Sequence, residues 1–224
     1  MAIGNTILQG VLTWLPVEAP ENHSLVLQFG ALFAVLYYLR YDFGFLLLNI
    51  IRGRFGEEEK FFVYATLFTA LIGLPLLKLT EFPNLAILNF LIGVAILLTW
   101  RRTTDGELGF MEAFIVGVAQ GMAVLPGASR MALVLGMLLL RGIEAKKALR
   151  LSLLVSIPYI MGSMLAGTCE PPLPSALLSM VASFLAGVMT IHLLFLLADK
   201  TGSPGFRLVF GMIAVIGWLL GVVI

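Results

Sequence analysis

Residues 110–140 read FMEAFIVGVAQGMAVLPGASRMALVLGMLLL. Such a run is long enough to cross about 30 Å of hydrocarbon as a helix. Pro126 and Gly127 interrupt it in the middle, however, and Arg130 follows at once. Proline removes a backbone donor and crowds the preceding turn, and glycine loosens the chain. The run therefore predicts two half-helices joined by an irregular turn, a re-entrant hairpin with its tip inside the membrane. Irregular backbone at that depth is tolerated only where protein or a water-filled cavity covers it.

Outward from this hairpin the chain continues in the same composition. Of its 224 residues 60% are hydrophobic and 12% charged, about half the charge of a soluble domain. Six segments, 24–41, 61–79, 84–100, 148–167, 175–198 and 206–224, are apolar enough to span a bilayer as helices. The expected fold is an all-α integral membrane protein, with 1–224 as one membrane domain. A net charge of +1 argues against nucleic acid as a partner, leaving membrane lipids. A single cysteine, Cys169, excludes a disulfide framework and a cysteine-based zinc site. No basic leader with a cleavage site precedes the first apolar run, so the amino terminus is expected to be retained.

The charges set sidedness. Arg40, Arg52, Arg54, Lys60, Arg101, Arg102, Arg141, Lys146, Lys147, Arg150, Lys200 and Arg207 fall in connections on one side, leaving Lys78 opposite and Arg130 within the hairpin. That excess marks the cytoplasmic face of a cell membrane and puts the carboxyl terminus outside. The run Glu57-Glu58-Glu59-Lys60 reads as a solvated loop.

The hairpin has a shorter counterpart. Gln9-Gly10 is followed by Leu15-Pro16, and Gln120-Gly121 by Leu125-Pro126. Each precedes three spans, and an odd number of spans turns the second copy upside down. The expectation is an inverted repeat, 1–104 and 105–224, with a binding site where the broken helices meet.

Within that site an arginine at membrane depth needs an anionic partner. Amides around Gly127 and Ala128, the start of the half-helix near Met131 and the Arg130 fork together suit a phosphate. Ser129 can donate to the same anion, act as a nucleophile beside a base, or simply cap the half-helix. Gln9, Thr13 and Gln120 are candidates for substrate contact. Glu18 and Glu21, just after Pro16, can hold a cation or a proton; Glu21 and His23 also read as ordinary interfacial loop residues. His192 lies within a span and reads as hydrogen-bonded to a neighbouring helix. Glu112 suits the start of a half-helix. Trp14, Trp100 and Trp218 read as packing or interface anchors. The spacings Gly162 to Ala166 and Gly217 to Gly221 suit helix packing within one chain or in a homodimer.

These residues resemble the bacitracin-resistance family of undecaprenyl-diphosphate phosphatases. The likeness covers Gln9 to Val17, Gln28-Phe29-Gly30-Ala31-Leu32-Phe33-Ala34-Val35, and Ala113 to Arg130, with the same order of spans. It implies hydrolysis of a polyprenyl diphosphate to the monophosphate in lipid-carrier recycling, aided by a divalent cation, Mg²⁺ or Ca²⁺. The family's second motif is similar to Pro-Gly-x-Ser-Arg-Ser-x-x-Thr; the chain keeps Pro126, Gly127, Ser129 and Arg130 but has Met131 and Val134 at the last two places. Its first motif resembles Glu-Gly-x-x-Glu-x-Leu-Pro-Val-Ser-Ser-x-Gly-His, and here Gln9 and Thr13 stand for the two glutamates, Glu18 and Ala19 for the serines. The resemblance assigns Ser129 and Arg130 to catalysis, and Glu18, just after Pro16, is the nearby substitute expected to take up the work of the lost carboxylates. The missing carboxylates keep open a second reading, a carrier or flippase of the same fold that moves a polyprenyl phosphate without hydrolysis.

Overall fold

The computed structural model describes residues 23–76, 86–101, 106–125, 129–166 and 173–219. Among these residues every regular element is a helix. They are α1 (His23–Tyr38), α2 (Arg40–Ile51), α3 (Glu57–Leu76), α4 (Ala86–Leu98), α5 (Phe110–Met122), α6 (Arg130–Leu140), α7 (Ala145–Ala166) and α8 (Leu173–Leu219). The expected all-helical membrane fold is what the chain forms. By length and apolarity, α3 and the stretch Ala176–Ile216 of α8 suffice to cross a bilayer, and a bent α1–α2 pair adds a third if counted as one span.

Three boundaries differ from the sequence reading, each for a local reason. Helix α3 starts at Glu57, because three carboxylates in its first turn complement the positive end of the helix dipole. Glu57 to Lys60 is therefore helical and not a loop. Glu59 is only 7% exposed, accepting from Asn49 Nδ2 at 2.7 Å and from the Gly56 amide at 3.1 Å. Helix α2 occupies what the sequence presents as a connection. It turns 81° away from α1, buries Leu46 and leaves Tyr41, Phe45 and Ile51 outward. The two last expected spans merge into α8, 47 residues long. A straight helix of that length would reach about 70 Å, more than twice the hydrocarbon. It is interrupted at Gly202, whose φ of 64° glycine adopts without a Cβ clash.

Helix α7 lies at the centre, packed on α1, α3, α6 and α8. The hairpin partners α5 and α6 pack on each other; α5 also lies on α3, and α6 on α4. Helix α1 packs on α8, and α4 packs on α8 beyond Gly202. At this last crossing the backbones nearly touch. A Cβ on Gly93 would lie 3.2 Å from the Gly211 carbonyl oxygen, and one on Gly211 would lie 3.1 Å from that of Gly93. Only small residues permit that approach.

Charged residues from separate connections meet at one end of the bundle. Arg141 pairs with Glu112, Lys146 with Asp199, and Arg150 with both Asp42 and Glu58. Apart from Glu112, in the first turn of α5 (Phe110–Met122), all belong to segments that charge counting puts on one side. Arg207 is an exception to that solvated picture: at 1% exposed it lies inside the protein.

Candidate functional site

Helix α5 ends at Met122, turns follow at Ala123 and Val124, and a new helix starts at Arg130. At 13 and 11 residues the pieces rise about 20 and 17 Å, each well short of the hydrocarbon thickness. Their far ends are tied together. The Glu112 carboxylate, in the first turn of α5, accepts from Arg141 Nε at 2.9 Å just past the end of α6. Gly106 donates its amide to the Gly142 carbonyl at 3.2 Å. The two half-helices therefore form an antiparallel hairpin, with Ser129 and Arg130 at its tip.

Ser129 is 2% exposed and is the N-cap of α6. Its backbone is extended, and its Oγ accepts from the Ala132 amide at 3.3 Å. Its own amide donates to Asn89 Oδ1 at 2.9 Å, from α4. The sequence expects unpaired amides at this helix start to face an anion, but two of them, those of Ser129 and Ala132, are engaged inside the protein. Because the hydroxyl accepts with a lone pair, it still carries a proton to donate.

Arg130 is partly buried, with its Cζ 4.9 Å from the centroid of the Tyr159 ring. It points across to α7 and lines a cavity of about 20 Å³ with Met131, Val134, Ser152, Leu153 and Ser156. Ser152, Ser156 and Tyr159 are four and three residues apart, one stripe of α7. Both serine hydroxyls donate back to their own helix, to Leu149 O at 2.8 Å and Leu153 O at 2.6 Å. Among the described residues, Arg130 brings a positive charge to this cavity and Ser129 stands next to it in the chain, at the N-cap of α6. Met131 and Val134, where the chain departs from the motif it resembles, both stand in this cavity wall and make it apolar.

Gln120 is 1% exposed and donates through Nε2 to the Val155 carbonyl at 3.0 Å, tying α5 to α7. Its Oε1 has no hydrogen-bond partner among the described residues. Gly127, Ala128, Gln9, Thr13, Glu18 and Glu21 lie outside the described residues. His192 contacts Tyr38 Oη through Nδ1 at 3.4 Å, the neighbouring-helix bond expected for it. Asn89, 4% exposed, is the residue sequence reasoning passes over. A lone asparagine among Leu88, Phe90 and Leu91 is the available signal, since a buried carboxamide must find partners; its partner is not readable from the sequence.

The chain matches the family model described as bacitracin resistance protein BacA over residues 2–216. A protein named undecaprenyl-diphosphatase from Haloarcula marismortui is 30% identical, the match covering 96% of this chain and 95% of that one. Proteins of the same name from Methanococcoides burtonii and Syntrophotalea carbinolica are each 28% identical over 96% of this chain, covering 96% and 93% of theirs. The chain belongs to the BacA family.

Proposed function

We propose that the chain is a membrane phosphatase that hydrolyses a polyprenyl diphosphate of the undecaprenyl type to the monophosphate. The observation that carries this reading is a guanidinium held at the tip of a broken-helix hairpin beside a capping serine, in a chain whose family relatives are named for that reaction. Water adds to the terminal phosphorus as the bond to the bridging oxygen breaks, leaving the lipid monophosphate and inorganic phosphate. Arg130 neutralises the charge gathering on the transferred phosphoryl group. Ser129 donates a hydrogen bond from its hydroxyl to a phosphate oxygen and keeps its proton. The donor role is favoured over that of nucleophile because its hydrogen bonds among the described residues run to Asn89 and Ala132, and neither is a base.

Among the described residues no group of three or more His, Cys, Asp or Glu side chains could hold a metal ion. We assign the divalent cation implied by the resemblance, Mg²⁺ or Ca²⁺, and the acid–base work to Glu18 with Glu21, the carboxylates that closely follow Pro16 in the sequence. The cation, when bound, supplies positive charge to the diphosphate.

The inverted repeat is part of the same reading. Gly93 and Gly211 lie in the third span of each proposed copy, and each one's Cβ direction faces the other's carbonyl, the reciprocity a two-fold relation produces. The carboxyl terminus is placed outside on charge grounds.

Purified protein incubated with an undecaprenyl or shorter prenyl diphosphate should release phosphate in a Mg²⁺- or Ca²⁺-dependent manner, and Arg130→Ala should abolish that release. Tight binding of a prenyl monophosphate with no phosphate released would favour the carrier instead.

A further inference from the structure

We propose that Asn89 of α4 is a positioning residue that sets the direction of the Ser129 hydroxyl; this rests on the reading of Ser129 and Arg130 as the phosphate-facing pair. The hydrogen bond from the Ser129 amide to Asn89 Oδ1, 2.9 Å long, joins two deeply buried groups, 4% and 2% exposed. A carboxamide placed inside an apolar segment is costly unless its polar atoms are used. Here it is used on the backbone of the N-cap residue at the hairpin tip. Ser129 is held at two points, its amide by α4 and its Oγ by the Ala132 amide. The amide anchor fixes where the residue sits, and the bond that Oγ accepts from Ala132 limits where its hydroxyl proton can point. The cap alone orients the side chain relative to α6; the bond to Asn89 orients it relative to the rest of the bundle, where the substrate lies. The anchoring helix comes from the first half of the chain and the anchored residue from the second, so this bond also sets the two halves in register at the site.

The test uses full-length protein in detergent and phosphate release from a prenyl diphosphate. Asn89→Ala should lower kcat by about 10- to 100-fold, the scale on which small misplacements of reacting groups act, with KM changed less than about threefold. Asn89→Asp keeps an acceptor oxygen in place but adds a negative charge near an anion site. It should keep kcat within about threefold and raise KM. In an Asn89→Ala, Ser129→Ala double variant the loss should equal that of Ser129→Ala alone, because both changes act through one hydroxyl. Wild-type kcat in Asn89→Ala, or losses that multiply in the double variant, would overturn the proposal. If Asn89→Ala does not fold, Asn89→Asp decides: kcat retained with raised KM supports the role, and lost kcat ends it. Wild-type rates in Arg130→Ala would instead overturn the site reading itself, so the two failures are distinguishable.

Discussion

The Arg130 guanidinium carbon stands 4.9 Å from the centroid of the Tyr159 ring, so a cation at the tip of the hairpin rests against the face of an aromatic ring on the central helix. In a partly desolvated setting such a contact is worth about 1–2 kcal/mol, enough to favour one orientation of a flexible side chain. Tyr159→Leu should therefore lower kcat/KM for prenyl diphosphate about tenfold, while Tyr159→Phe, which keeps the ring, should stay within about threefold of wild type. Equal losses in both would show that the phenol hydroxyl, and not the ring face, does the work.

Arg130→Lys separates charge from shape. A lysine keeps the positive charge but replaces a planar fork with a single point donor. Phosphate release should fall at least about tenfold, between wild type and the loss of about 10²–10³-fold that accompanies removal of a transition-state charge partner. A lysine variant at wild-type rate would mean that two-point contact with the phosphate is not used.

Closing the open end of the hairpin is the task of Glu112. Its carboxylate receives Arg141 from past α6 and the Gly109 amide from its own helix start, at 3.0 Å. Arg141 is about half-exposed, so water screens part of the pair. Glu112→Ala should reduce stability by about 1 kcal/mol, read as a lower Tm in detergent. Glu112→Gln, which keeps an acceptor for the amide, should recover part of it.

Side-chain volume at Gly93 should be tolerated poorly. Besides the Gly211 carbonyl, a Cβ there would meet Ala214 Cβ at 2.9 Å and Val215 Cγ2 at 3.1 Å. Gly93→Leu should force α4 and α8 apart and cost about 1–3 kcal/mol, the usual scale for overpacking. An unchanged Tm would show that this crossing opens freely.

If Glu18 and Glu21 hold the cation, chelation should remove phosphate release and added Mg²⁺ or Ca²⁺ should restore it. Glu18→Gln should then raise the cation concentration needed for half-maximal activity by roughly 10- to 100-fold, the effect expected where one partner of a small ligand set is weakened. A metal response unchanged in this variant would remove Glu18 from the site.

Apolar run length, the Pro126-Gly127 break and the bias of Lys and Arg toward certain connections are properties of adjacent residues. They were enough to read an all-helical membrane chain, a hairpin at 110–140 and Arg130 as its sharpest feature, because dehydrating a backbone forces helix formation wherever the side chains are apolar. Helix α2 escaped that reading: at 12 residues it is too short to signal a span, and its 81° turn is set by contacts with α1 and α3. The burial of Glu59 and Arg207 escaped it too, since a charged residue reads as solvated until its partners are known. Only tertiary structure brought Asn89 to Ser129 across 40 positions of chain, Tyr159 to Arg130, and Gln120 to Val155. Helix propensity and chain breaks act within a few residues, whereas hydrogen bonds and ring contacts between helices depend on which faces meet, and that follows from packing the whole bundle at once.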